Sequence, residues 1–252
     1  MFSPRRLESM PDLKKTHRLI KTPQFSSRYL ADYMAATEFG KRNILTASKY
    51  QAIARVVQHD EATQTISKFF RSENPTIEHL TVAAKKLRDR MADLDFDRDL
   101  FDHNADYLDR FAKVVHLVEL PTDADILAPG QSPKIEIGGV KVGTDLQFRL
   151  RRITKTNKIK IGAAVFRYSK GKALKPEIGA WQSAFLLAYL RETALEVGAE
   201  PEAKLCLTLD MYSGQAYPAP TGSVSRYKNM QAACVAISER WDNIKPPANA
   251  IL

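Results

Sequence analysis

Apolar residues recur at three- and four-residue spacing through the first half of the chain, a pattern that predicts amphipathic helices. Three stripes define these helices: Tyr29, Leu30, Tyr33 and Met34; Tyr50, Ile53, Ala54 and Val57; and Ile77, Leu80, Ala83, Ala84 and Leu87. The acidic stretch from Asp93 to Asp99 interrupts the period and is interpreted as a solvated turn. Residues 1–24 are basic and show no sustained period, so they predict a flexible arm.

From residue 121 the pattern changes to the two-residue alternation that is typical of strands. The predicted elements are strands at residues 135–137, 141–153 and 158–168, a helix from Pro176 that stops near Gly198, a strand at residues 204–212 and a last helix over residues 223–244. Thr154-Lys155-Thr156-Asn157 is the expected hairpin turn. The sequence therefore predicts an α+β or α/β fold. A helical region, residues 25–120, precedes a core with a mixed sheet flanked by helices, residues 121–252.

Composition narrows the class of protein. The chain has 252 residues and 44% hydrophobic residues, enough for a full core. No run approaches the roughly eighteen apolar residues of a membrane span, and the first residues lack the apolar stretch of a secretory signal. We therefore expect a cytoplasmic protein with no membrane partner. Cys206 and Cys234 lie in apolar surroundings, which favours buried free thiols.

The positive charge is concentrated in one segment. Residues 134–175 hold twelve Lys and Arg against Glu136 and Asp145, a net charge of +10 in a chain of formal net charge +9. The rest of the chain is therefore close to neutral, so this basicity is not a general device for solubility. A polyanionic partner, DNA above all, is the natural interpretation.

Within this segment the predicted hairpin offers a candidate phosphate-binding surface. Its members are Arg149, Arg151, Arg152, Lys155, Lys158, Lys160 and Arg167. Strand alternation puts Arg149 and Arg151 on one face of the sheet, with the turn lysines beyond them. The alternative is a solvated hairpin whose edge charges only prevent aggregation.

The order of elements, with Gly143-Thr144-Asp145 at the start of a long central strand and Gln182 and Tyr189 on the next helix, resembles the RecB-like branch of the PD-(D/E)XK nuclease superfamily. The resemblance covers residues 135–244. It implies a nuclease-like core in which Asp145 is a metal ligand and Gln182 and Tyr189 contact the substrate strand. It also implies a role for Mg²⁺, which would polarise a phosphate and deliver a water.

One part of the family pattern is missing. The adjacent strand should supply an Asp/Glu-x-Lys, but residues 160–170 contain no Asp or Glu. Lys170 stands near the family's lysine, and Glu38 or Glu119 are alternative sources of the second acid. Without that acid, a divalent ion would have one carboxylate beside several cations that repel it. The other interpretation of Asp145 is a strand-edge residue paired with Arg149 or Arg167.

Three functional hypotheses follow from these features. The first is a DNA-binding protein with a nuclease-like fold and a degenerate catalytic motif, in which Asp145, Lys170 and Gln182 mark the former catalytic site. The second is an active Mg²⁺-dependent DNA exo- or endonuclease with a displaced second acid. The third is a protein-docking subunit of a DNA-processing or defence complex. The sequence leaves open whether the chain is an enzyme; if it is, we expect a metal-dependent phosphodiester hydrolase.

Overall fold

The structure, a computed structural model, describes residues 15–53, 59–193 and 196–252. Helices in these ranges are α1 (Ser27–Met34), α2 (Glu38–Lys49), α3 (Asp60–Phe70), α4 (Ile77–Arg88), α5 (Asp95–Val114), α6 (Pro176–Thr193) and α7 (Ser223–Arg240). Strands are β1 (His17–Leu19), β2 (Gln24–Ser26), β3 (Tyr50–Ala52), β4 (Asp125–Leu127), β5 (Ile135–Ile137), β6 (Val140–Gly143), β7 (Phe148–Ile153), β8 (Ile159–Arg167), β9 (Ala199–Asp210) and β10 (Gln215–Pro218).

A five-stranded mixed sheet forms the centre of the molecule, in the order β10-β9-β8-β7-β4. Strands β7 and β8 pair antiparallel through the predicted turn, where Asn157 has a φ of 57°. Strand β9 pairs parallel with β8, and helix α6 makes the crossover between them. Two smaller sheets have the orders β2-β6-β5 and β1-β3. The α+β fold with a mixed sheet flanked by helices is confirmed.

The two faces of the central sheet bury different sets of side chains. Phe148 and Leu150 point towards α3, α4 and α5, where they join one apolar cluster. Ala163 and Val165 point the other way, towards α6, α7 and α1, in a second cluster. Helix α6 is buried almost all round, because it lies between the sheet and these other helices. The N-terminal helices are therefore divided between both faces of the sheet.

Four local expectations differ from the structure. The predicted strand 141–153 is two strands in different sheets, β6 and β7, because the chain crosses between sheets at residues 144–147. Helix α2 ends before Tyr50, which lies in β3. Of the other residues of that predicted stripe, Ile53 is exposed just after β3, and Ala54 and Val57 lie outside the described residues. The acidic stretch is not only a turn, since Asp95 and Asp97 lie in the first turn of α5 and complement its dipole.

The predicted arm differs too: residues 17–19 form β1, which pairs with β3, while residues 1–14 lie outside the described part of the chain. Cys206 and Cys234 are both buried and free, as expected. Among the described residues, no helix is both long and apolar enough to cross a membrane.

Candidate functional site

Three neighbouring hollows in the surface share lining residues. The middle hollow, of about 390 Å³, shares Ser26 and Asp145 with a larger hollow of about 710 Å³. On its other side it shares Arg28 and Tyr168 with a smaller hollow of about 290 Å³. We call the whole feature the Asp145 groove and its smallest hollow the end pocket.

Asp145 lies in the wall of this groove, where the chain leaves β6 and enters β7. The preceding residue, Thr144, is buried and accepts a hydrogen bond from Ser27 Oγ at 3.0 Å, which fixes the crossing segment to the start of α1. Gln147 Nε2 donates to Asp145 Oδ2 at 2.9 Å. The groove walls desolvate the carboxylate and so raise the pKa of Asp145, and the charge of nearby Asp60 raises it further, whereas the Gln147 bond opposes the shift.

His59 and Asp60 form the opposite wall, at the start of α3. The His59 ring makes edge contacts with Tyr107 and Tyr168, at centroid distances of 5.5 and 5.2 Å. Burial lowers the pKa of His59, so the neutral imidazole is favoured. The groove centre therefore places one neutral ring beside two carboxylates.

Arg167 lies at the end of β8 and is 7% exposed. Its Nη2 donates to Asp32 Oδ1 at 2.6 Å and its Nη1 donates to Gln182 Oε1 at 3.1 Å. Desolvation lowers the pKa of Arg167 and the charge of Asp32 opposes that shift. The guanidinium thus ties α1, β8 and α6 together beside the groove.

The residues around Asp145 do not fit the magnesium site that the resemblance implies. Strand β8 turns Val165 and Arg167 towards α6, so it offers an apolar side chain and a cation in place of an acid and a lysine. No cluster of three or more His, Cys, Asp or Glu with metal-site geometry occurs among the described residues. Of the alternative acids, Glu38 pairs with Lys41, and Glu119 lines a separate hollow with Leu117. Asp60, which the sequence did not single out, is the acid that lies near Asp145.

Acidic residues neutralise much of the basic hairpin. Arg151 pairs with Glu196 at 2.9 Å. Arg152 pairs with both Glu202 and Asp123. Lys158 and Lys160 share Glu200. Arg149 Nε donates to the Ala128 carbonyl at 3.1 Å, and Lys155 lies exposed in the turn. A phosphate surface on the hairpin stays a prediction, but most of its charge is already compensated.

Six of the twelve cations of residues 134–175 have no ion pair with a described residue: Lys134, Lys141, Arg149, Lys155, Lys172 and Lys175. Three of these, Lys134, Lys172 and Lys175, line the Asp145 groove. Arg28 on α1 lines it as well and has no ion pair in the described part of the chain. Half of the uncompensated cations of the basic segment therefore line the groove, and Arg28 adds a fourth from outside the segment.

The other predicted site residues are separated. Gln182 lies in the middle hollow but is 3% exposed and bound to Arg167. Tyr189 is completely buried and its hydroxyl donates to the Pro133 carbonyl at 2.9 Å, which leaves no surface for contact with a strand. Lys170 Nζ donates to Asp106 Oδ2 at 2.8 Å and lines none of the three hollows.

Sequence reasoning missed the helical contributions to the groove, chiefly Arg28, Asp32, His59 and Asp60. The only signal was local: Asp32 is an acid directly beside the apolar stripe of α1, and such a position favours a buried partner. Neither a comparison with protein-family models nor one with curated proteins found a match to this chain. The functional proposal therefore depends on the geometry of the groove.

Proposed function

We propose that the protein binds a strand of nucleic acid, most readily single-stranded DNA, along the Asp145 groove without cutting it. The observation that carries this proposal is the distribution of uncompensated cations. Lys134, Arg28, Lys172 and Lys175 follow the groove from one end to the other, while the hairpin cations are mostly paired. A row of unpaired cations along a cleft matches the regular charge of a phosphodiester backbone.

Aromatic rings in the same groove offer faces on which the bases of the strand stack. Tyr29 is 51% exposed in the largest hollow. Tyr168 lines the other two hollows and is held in place by stacking on Tyr107, with centroids 3.8 Å apart and an interplanar angle of 9°. Bases of any sequence stack on such faces, which favours binding with little sequence preference.

The Arg167 network supports binding without catalysis. Arg167 stands on β8, where the family pattern needs an acid, and its guanidinium is held by Asp32 and Gln182 and cannot accept a proton from water. The same network holds α1 against β8 and α6, and so fixes the position of Arg28 in the wall. In this proposal the groove keeps a rigid shape for gripping a strand.

Binding is measured by fluorescence anisotropy with labelled single-stranded DNA, duplex DNA and RNA over a range of salt concentrations. If the strand contacts these four cations, the logarithm of the affinity for single strands falls with the logarithm of salt with a slope of about −3. Absence of affinity for every nucleic acid at low salt contradicts the proposal and favours the protein-docking hypothesis.

A second candidate, metal-dependent cleavage, is favoured by one observation: Asp60 lies close enough to Asp145 to raise its pKa. Incubating each DNA form with Mg²⁺, Mn²⁺ or EDTA separates the two candidates. Our proposal predicts intact DNA in all conditions. Metal-dependent cutting that is lost in Asp145→Ala and Asp60→Asn variants, with binding retained, establishes the nuclease instead.

A further inference from the structure

The end pocket is the smallest of the three hollows, and apolar side chains line part of it. Ala35, Ala36 and Ile178 form its back wall, where the end of α1 meets the start of α6. The loop between β8 and α6 forms the side. The volume of about 290 Å³ is at the small end of the range of ligand pockets, enough for part of one nucleotide.

Both acids that line the end pocket are already engaged by the protein. Asp32 accepts from Arg167 Nη2 at 2.6 Å. Asp210 is 1% exposed, and its carboxylate accepts from the backbone N–H groups of Leu174 at 2.8 Å and Tyr212 at 3.0 Å, and from Ser213 Oγ. The Asp210 bonds also hold the loop in its shape.

Three cations of the end pocket, by contrast, have no ion pair in the described part of the chain. They are Arg28, Lys172 and Lys175. Neighbouring Lys170 is tied away from the pocket by Asp106. Asp210 has no ion pair with a described cation, so three cations against this one carboxylate leave the pocket with a net positive charge.

We infer that the end pocket binds a phosphomonoester. A monoester carries a charge between about −1.5 and −2 at neutral pH, whereas an internal phosphodiester carries −1, so the three cations that line the pocket favour the monoester. The phosphomonoester group has two sources, the phosphorylated end of a strand or a free nucleoside monophosphate. The strand-end source rests on the proposed function, because the strand would lie along the groove and end in this pocket.

The test compares oligonucleotides of one sequence with a 5′-phosphate, a 3′-phosphate or hydroxyls at both ends, together with a free nucleoside 5′-monophosphate. The variant is Lys172→Gln with Lys175→Gln. Its matched control, Lys68→Gln with Lys113→Gln, removes two exposed lysines that line no part of the groove. We expect one phosphorylated end to bind about tenfold more tightly than hydroxyl ends, and this preference to disappear in the variant but not in the control.

The outcomes separate this inference from the proposed function. Equal affinity for phosphorylated and hydroxyl ends, with no binding of the free monophosphate, overturns the inference and leaves strand binding in place. If no strand binds but the free monophosphate binds and the variant weakens it, the pocket is supported and the proposed function fails. If no strand and no monophosphate binds, both are overturned.

Discussion

At the scale of single residues, Arg167 is the side chain on which the groove depends most. A buried guanidinium is tolerated only when its charge is paired and its donors are used, and Asp32 and Gln182 meet both conditions. This requirement explains why an acid stands beside the apolar stripe of α1. It also means that the network is sensitive to the loss of either charge.

Replacing Asp32 by Asn should lower the free energy of unfolding by about 2 kcal/mol, because the amide leaves the buried charge of Arg167 uncompensated. Urea unfolding measures the change. Asp102→Asn, which breaks the exposed pair with Arg98, is the matched control and should cost less than about 0.5 kcal/mol. Adding Arg167→Met to Asp32→Asn should recover part of the loss. Equal effects of the two single substitutions would contradict a buried pair.

Replacing Asp145 by Asn should raise the free energy of unfolding, the opposite of the effect at Asp32. Its pKa is raised in the folded protein, so the folded state binds more protons than the unfolded state between the ordinary pKa, about 3.9, and the raised one. The free energy of unfolding contributed by Asp145 therefore falls as pH rises through this window and stays low above it. Asp145→Asn should stabilise the protein at pH 7, and this gain should vanish below about pH 3.9.

Urea unfolding at both pH values checks this prediction. Asp125→Asn, on the edge strand β4, controls for the substitution itself. A destabilised Asp145→Asn protein at pH 7 would show that the carboxylate is held by a favourable partner, such as Arg149 or Arg167, after all.

The sequence indicated some of these residues and not others. Asp145 and Gln182 were found because each follows a local pattern, a Gly-x-Asp before a strand and a polar residue on an apolar helix. Arg28, His59 and Asp60 have no such local signal. Their importance comes from the packing of α1 and α3 around the sheet, which depends on contacts between residues far apart in the chain.

At the scale of elements, strands β8 and β9 approach each other very closely at residue 162. Gly162 lies where β8 and β9 change register, and a Cβ there would come within 2.0 Å of the Leu205 carbonyl oxygen. Only glycine fits such an approach. Strand β8 beyond this point carries Arg167 to its partners.

Gly162→Ala should therefore cost at least about 3 kcal/mol or prevent folding, because two backbone segments must separate. Gly171→Ala is the matched control. Its φ of 77° strains an alanine, but nothing lies within 4 Å of the added Cβ, so about 1 kcal/mol is expected. Melting temperatures of the soluble fractions measure both. A Gly162→Ala protein as stable as the control would mean that the strands can move apart freely.

Elements were predictable where one pattern runs through one element. Helices α4, α6 and α7 and the β7–β8 hairpin follow the periodicity closely. The alternation of residues 141–153 could not show that the chain changes sheets at residue 144, since both strands keep the same two-residue period. The parallel pairing of β2 with β6 is equally invisible, because it joins segments more than a hundred residues apart.

At the scale of the whole molecule, the binding of a polyanion depends more on where the uncompensated cations lie than on the net charge. The basic segment has a net charge of +10, yet Glu196, Glu200 and Glu202, just before and within β9, and Asp123 pair with four of its hairpin cations. Sequence counts cannot show this compensation, because it depends on which strands become neighbours. Half of the cations of this segment that have no ion pair in the described part of the chain line the Asp145 groove.

The most direct test of the account is to remove equal charge from the two surfaces. One variant carries Arg28→Gln and Lys134→Gln in the groove, and the other carries Lys155→Gln and Lys158→Gln on the hairpin. Fluorescence anisotropy with single-stranded DNA at fixed salt gives the affinity of each. The account predicts about a tenfold loss in the groove variant and less than about a threefold loss in the hairpin variant. A larger loss in the hairpin variant would contradict it and place the strand on the hairpin.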